Sequence, residues 1–160
     1  MATQVRQIPE GYHTLTTDLF VKDVSKAIDF YVKAFNAQEI FRFAGPDGKI
    51  FHAEIKIGDS RLMLCGECSE RGCLSPSSLN GNTGSLYLYV KDMDLAFEQA
   101  VKAGGKSIQG VTDMFWGDRT GEIVDPSGHR WTLATHVKDL TPEQMKQGAE
   151  AFFATMAKSK

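Results

Sequence analysis

The chain has 160 residues, is 42% apolar, and balances 18 Lys and Arg against 20 Asp and Glu for a formal net charge of −2. That size suits one compact domain or two half-size modules sharing a core. Its two halves are alike in charge, so no basic face is expected and nucleic acid is set aside as a partner; no apolar run reaches membrane-span length, and MATQVRQIPEG lacks a signal-like apolar stretch, so a cytoplasmic protein with no membrane partner is expected.

In chain order, YHTLTTDLFV alternates like a strand. Asp23 follows as an N-cap, and Val24, Ile28, Tyr31 and Phe35 then fall on one helical face. QEIFRFA and KIFHAEIKI read as strands joined by the turn signal GPDG, and Gly58-Asp59 turns into the strand SRLMLC. The run CGECSERGC places Cys65, Cys68 and Cys73 close together. Cys65-x-x-Cys68 has the spacing of a zinc half-site or a redox pair, but no fourth ligand for a closed zinc site lies nearby in sequence. The plainer reading is a strand ending at Cys65, followed by a polar loop.

The order then repeats. GSLYLYV is a strand, Asp92 is a cap, and Met93, Phe97 and Ala100 form a helical stripe ended by Gly104-Gly105. KSIQGV and TGEIVD read as strands, and DPSG turns into HRWTLATH. A last helix starts at Thr141 with a capping box to Gln144 and Pro142 at its first position; Met145, Ala149, Phe152 and Met156 make its apolar stripe. That stripe is expected to pack on the protein's own body or on a second subunit.

The two halves say nearly the same thing. LFVKDVSKAIDFYVKA (19–34) and LYVKDMDLAFEQAVKA (88–103) agree at half of their positions. The same offset of 69 lays Arg61-Leu62-Met63-Leu64 over Arg130-Trp131-Thr132-Leu133 and Gly48 over Gly117, which reads as one register without a gap. The expected fold class is α+β: two tandem βαβββ modules, about 12–68 and about 82–137, then a C-terminal helix at about 141–157.

Two such modules, with VKD after each first strand and DPSG before the last, resemble the vicinal oxygen chelate superfamily of glyoxalase I, the bleomycin-resistance proteins and the extradiol dioxygenases. GPDGKIFHAEIKIGDS and FWGDRTGEIVDPSGHRW look like its PhnB-like branch. The resemblance implies cupped sheets, helices outside, a cleft within, and often a homodimer whose second chain completes the cleft.

Strand alternation assigns faces. Leu15, Thr17, Leu19 and Val21, with Leu86, Leu88 and Val90, are expected to meet the helices. The opposite set is expected in the cleft: Thr14, Thr16, Asp18 and Phe20; Ser85, Tyr87 and Tyr89; Arg61, Met63 and Cys65; Arg130, Thr132, Ala134 and His136. The resemblance carries the superfamily's metal-ligand positions to Thr16, Met63, Ser85 and Thr132. Neutral hydroxyls and a thioether do not repay dehydration of a divalent ion, so neither metal nor other cofactor is expected at those positions. His52, Glu54 and His136 are the candidates for a relocated site.

The cleft set suits a planar or cationic small molecule. Phe20, Tyr87, Tyr89, Phe115 and Trp116 supply aromatic faces, and Arg61 and Arg130 supply charge. Asp18, Glu122 and His136 are the candidate acid/base residues. Asp118 and Arg119, adjacent in WGDR, read as a mutual ion pair. His13 and His129 read as exposed residues at strand entrances. The leading expectation is a metal-free small-molecule-binding protein; a metalloenzyme with displaced ligands and a metal-free acid/base enzyme are the alternatives.

Overall fold

A computed structural model describes residues 5–158. The first module runs β1 (Thr17–Val21), α1 (Val24–Phe35), β2 (Gln38–Ala44), β3 (Ile50–Ile57) and β4 (Ser60–Gly66). A 3-10 turn at Ser69–Arg71 and a one-turn helix, α2 (Pro76–Leu79), lead to the second module. That module runs β5 (Ser85–Tyr89), α3 (Met93–Lys102), β6 (Lys106–Asp113), β7 (Asp118–Val124) and β8 (Arg130–His136), and α4 (Pro142–Lys158) follows. Each module is one four-stranded mixed sheet, ordered β1-β4-β3-β2 and β5-β8-β7-β6. The parallel pairs are β1 with β4 and β5 with β8.

The caps fall where the sequence puts them. The Asp23 carboxylate accepts from the Lys26 N–H, and Asp92 accepts from the Leu95 N–H. The stripe Val24, Ile28, Tyr31 and Phe35 is buried, and so are Ala27, Phe30 and Ala34, so most of the α1 surface is covered. By contrast α3 buries only Met93 and Ala100. Both helices pack on their own sheets and on each other, but α1 also reaches into the core of the other module. Tyr31 and Phe35 both contact the Trp131 ring, at centroid distances of 5.4 and 4.8 Å.

Asp125 of DPSG ties the modules together. Its Oδ1 accepts the N–H groups of Ser127 and His129, which holds the turn. Its Oδ2 accepts the Tyr31 hydroxyl at 2.6 Å and the Trp131 indole N–H at 3.0 Å. All four are buried contacts, so each protects a donor that would otherwise be stranded.

Four expectations need correction. The register is not gapless: Glu54 faces Met63 and Glu122 faces Thr132, so the third strands are related by 68 while the fourth are related by 69. The extra residue lies in the β7–β8 turn. Strand β1 starts only at Thr17, so Thr14 and Thr16 precede it and Leu15 is exposed instead of packed. His129 is buried, held by a ring-nitrogen contact of 3.0 Å to the Phe20 carbonyl across the modules. Asp118 and Arg119 do not pair. Neighbours on a strand point to opposite faces, and Arg119 goes to Asp94 and Asp113.

Helix α4 begins with the expected reciprocal Thr141–Gln144 box. Its first half docks on the chain's own body, where Gly148 lets the helix close on Phe115; a Cβ there would lie 2.9 Å from the Phe115 Cβ. Phe152 packs its ring tilted against Phe115 at 5.6 Å but is still partly open to solvent, and Phe153 and Met156 are more exposed.

Candidate functional site

The polar face of the second sheet is organised around one buried carboxylate. Asp118 opens β7 and is 3% exposed. Its Oδ2 accepts the hydroxyls of Tyr87 at 2.9 Å and Tyr89 at 3.0 Å, and its Oδ1 lies 2.8 Å from His136 Nδ1. The other His136 nitrogen is 3.0 Å from Asp139 Oδ1. The two tyrosines alternate along β5, so both rings point to the same side, 5.2 Å apart. Their faces remain open, at 44% and 61% exposure. Trp116 stands beside Tyr87 at the edge and packs edge-on against Phe115 at 4.9 Å.

The loop that carries Trp116 is pinned. Gly117 adopts φ 96, and a Cβ there would sit 2.1 Å from the Lys138 carbonyl oxygen. Its own carbonyl accepts the N–H groups of Val137 and Lys138. Only glycine allows this crossing, and the crossing fixes Trp116, Asp118 and the end of β8 against one another.

Electrostatics follow from the contacts. Burial pushes the Asp118 carboxyl up, but the hydrogen bonds from His136, Tyr87 and Tyr89 outweigh it and hold the group below its ordinary value. The same contact with Asp118, joined by that with Asp139, raises His136. Burial, partly offset by Trp116 and reinforced by Asp118, pushes Tyr87 up to about 12. Asp118 is therefore an anion with donors arranged around it, and the tyrosine hydroxyls are held neutral.

The polar face of the first sheet is built differently. Asp18, Met63, Glu54 and Phe41 form one row across it; Phe20, Cys65, His52 and Phe43 form the next. Glu54 is buried, and burial raises its pKa against the opposing effect of Arg61. Arg61 Nη1 is 3.8 Å from Glu54 Oε2, too far to hydrogen-bond, and both that oxygen and Arg61 Nε lack a hydrogen-bond partner. The guanidinium instead lies under the Tyr12 ring, 4.6 Å from its centroid. His52 Nδ1 is 3.2 Å from Cys65 Sγ. A hollow of about 520 Å³ opens beside these residues, lined by Phe20, Phe51, His52 and the three cysteines.

The sequence-predicted residues thus divide between two faces. Tyr87, Tyr89, Phe115, Trp116 and His136 come together on the second. Asp18, Phe20 and Arg61 lie on the first. Glu122 and Arg130 form a separate ion pair on the second sheet. The acid/base candidates Asp18, Glu122 and His136 therefore sit in three different settings. The organising group is Asp118, which the sequence pattern pairs with its neighbour Arg119. The signal for it was strand alternation, which rules out its pairing with Arg119 and turns it to the side of Tyr87 and Tyr89.

The metal-ligand positions do not fit an ion. Thr16 donates its hydroxyl to the His13 carbonyl, and Met63, Ser85 and Thr132 offer a thioether and hydroxyls. His52 lies 3.9 Å from Glu54, but His136 belongs to the other face. Among the described residues, no group of three or more His, Cys, Asp and Glu side chains is placed to hold a metal ion.

A duplicated βαβββ unit with polar, aromatic strand faces defines a class of two-module α+β proteins. The profile of the Glyoxalase/Bleomycin resistance protein/Dioxygenase superfamily matches residues 13–133, and the chain belongs to that superfamily. It is 39% identical over 139 residues to protein Rv0887c of Mycobacterium tuberculosis, covering 82% of this chain and 79% of that one. Its fold matches the PhnB protein of Bacillus cereus with TM-score 0.60 and 17% identity, over 77% of this chain and 99% of that chain. It also matches the fosfomycin resistance protein FosX of Listeria monocytogenes, solved with Mn(II) and a dihydroxypropylphosphonic acid, with TM-score 0.59 and 20% identity, over 81% and 91%. No helix among the described residues is long and apolar enough to cross a membrane.

Proposed function

We propose that this chain is a cytoplasmic, metal-free small-molecule-binding protein of the glyoxalase/bleomycin-resistance type. It holds a planar or cationic organic guest against Tyr87, Tyr89 and Trp116, and it works as a homodimer. One observation carries the reading: the two open tyrosine faces are locked in place by the buried Asp118 carboxylate. A rigid aromatic floor loses little entropy on binding, and its rings attract flat and cationic partners. FosX is named for resistance to a small antibiotic and was solved with Mn(II). The donor set here at Thr16, Met63, Ser85 and Thr132 supports taking over the small-molecule role without the ion.

The dimer is supported by the open faces. Contacts between the modules run through the apolar side and the adjoining loops, such as Tyr31–Asp125, Phe35–Trp131 and His129–Phe20. The polar faces are left to meet a guest or a second copy. Light scattering of the full chain should give twice the monomer mass.

The binding test uses intrinsic fluorescence. The chain has two tryptophans, and Trp131 is buried in the core, so a guest at the face quenches Trp116. Titration with an acridinium cation and with a neutral planar heteroaromatic should give saturable quenching and a rise in Tm. Trp116→Ala and Tyr87→Ala should each weaken binding about tenfold or more. Unchanged affinity in both variants removes this face from the site. Stoichiometric transition metal in protein purified without chelator would overturn the metal-free part.

A second reading, an acid/base enzyme centred on His136, is favoured by its contact with a buried carboxylate. Both imidazole nitrogens are occupied by Asp118 and Asp139, so a substrate must first displace Asp139, whose side chain is fully exposed. Turnover lost in His136→Gln but retained in Asp139→Asn would support this reading over simple binding.

A further inference from the structure

The linker between the modules begins by folding back on itself at two cysteines. Cys68 donates its N–H to the Cys73 carbonyl at 2.8 Å, and Cys73 returns the bond at 3.0 Å. Ser69–Arg71 makes the 3-10 turn between them, closed by Gly72 in a left-handed conformation at φ 68. An antiparallel pair that exchanges both hydrogen bonds holds its Cα atoms about 5.5 Å apart and points both side chains to one side. Disulfides span Cα separations of about 4.4–6.8 Å. The backbone at Cys68 and Cys73 is therefore already within bonding range, and only side-chain rotation is needed.

The third cysteine is placed otherwise. Cys65 sits in β4, opposite Phe20 on one side and His52 on the other. The strand runs to Gly66, the Glu67 N–H still pairs with the Val21 carbonyl, and Cys68 is extended at φ −140. Three residues of extended chain separate Cα atoms by about 10 Å, beyond the reach of a bridge. The Cys65-x-x-Cys68 spacing legible in the sequence is thus the wrong pair. Burial and the nearby Asp18 carboxylate also push the Cys65 thiol up to about 11, which keeps it from forming a thiolate. All three cysteines are half-buried and line the hollow of the first module, where a small reagent can approach them.

We propose that Cys68 and Cys73 are a dithiol switch that closes to a disulfide when the chain meets a small-molecule disulfide, locking the rim of the first module's hollow. In the first step, the thiolate of one cysteine attacks a sulfur of the reagent. A mixed disulfide forms and one small thiolate leaves, taking up the released proton. In the second step, the other cysteine attacks the protein sulfur of that mixed disulfide and expels a second small thiol. Two protein thiols are oxidised, one small disulfide is reduced to two thiols, and no other oxidant is required. Ser69, Glu70, Arg71 and Gly72 then form a closed ring that cannot swing away from the hollow.

The test uses the full chain and oxidised glutathione. After reaction and alkylation of the remaining thiols, trypsin cuts at Arg71, between the two cysteines. The expected product is peptide 62–71 joined to peptide 72–91, with Cys65 alkylated and the mass lower by two hydrogens. Reduction should release the peptides. Cys65→Ser should keep the link, whereas Cys68→Ser and Cys73→Ser should stop at a mixed disulfide with glutathione on the remaining partner. A disulfide within peptide 62–71, or a link in which Cys68 is the alkylated residue, would overturn the assignment. So would glutathione carried on both cysteines of the wild-type chain with no internal bond.

Discussion

The hairpin before the last strand is built twice, and it does different work in the two modules. In the first, Gly58-Asp59 is a surface turn, and Asp59 accepts only the neighbouring Ser60 hydroxyl, at 3.1 Å. In the second, the turn is one residue longer and Asp125 is swallowed by the core, where it satisfies Tyr31, Trp131 and two backbone donors. A similar divergence marks the polar faces. Glu54 and Glu122 hold equivalent positions, opposite Met63 and Thr132, and so do Arg61 and Arg130. On the second sheet the pair closes, with Arg130 donating to Glu122. On the first, Arg61 is held under Tyr12 and Glu54 keeps an orphaned oxygen. Duplication preserved the residue types; the covering segments decided which carboxylate is content.

The two modules differ most at these turns. Asp125→Ala strands a tyrosine hydroxyl, an indole N–H and two amides in the core, so it should cost about 4 kcal/mol. Asp59→Ala should stay within about 0.5 kcal/mol. Urea midpoints at unchanged m-value measure both. Equal losses would show that the first turn is no mere surface loop.

Next come the glutamate–arginine pairs. Arg61→Ala leaves the Glu54 carboxylate buried without its countercharge and should cost about 3 kcal/mol near neutral pH. Arg130→Ala opens a more exposed pair and should cost at most about 1 kcal/mol. Glu54→Gln should go the other way. Because burial raises its folded-state pKa, Glu54 adds stability that is complete below its unfolded value of about 4.3 and is lost as pH rises through the folded value. The glutamine variant should therefore match or exceed wild type at pH 7 and lose that dependence. A Glu54→Gln loss as large as that of Arg61→Ala would mean that the ionised pair is favourable, contrary to its geometry.

Much of this fold is legible in the chain because its strongest signals are local. Asp23 and Asp92 cap helices at equivalent places, and Val24, Ile28, Tyr31 and Phe35 make a stripe that no strand could bury. The opposite faces of β5 and β8 likewise follow from alternation, which is how Tyr87, Tyr89 and His136 could be grouped. What escaped depends on contacts between segments far apart in sequence. The local pattern places His129 at an exposed strand entrance, but it is drawn to the Phe20 carbonyl of the other module. Local sequence matches Asp118 with its chain neighbour, although its partners lie 31, 29 and 18 residues away. The single-residue slip of β7 is invisible to an offset fixed on the helices, because a turn absorbs it without disturbing either strand.

The last contrast concerns His136, whose equivalent on the first module, Glu67, accepts from Ser75 in the linker instead of joining the sheet face. Its imidazole is half exposed, so the contribution is modest, but its sign is fixed. The hydrogen bonds to Asp118 and Asp139 raise its folded-state pKa above the unfolded value of about 6.5. The stability it adds is fully present below that value and disappears as pH rises through the folded one. At the acid end Asp118 limits the window, because its lowered carboxyl adds stability that is full above about 3.9 and lost as pH falls through its folded value. Comparing wild type with His136→Gln by thermal melts, the gap in Tm should be widest between about pH 4 and pH 6.5 and close on the alkaline side. A gap that widens above pH 8 would mean that neutral imidazole is the form the face selects. Asp118 would then organise the tyrosines without the help of a cation.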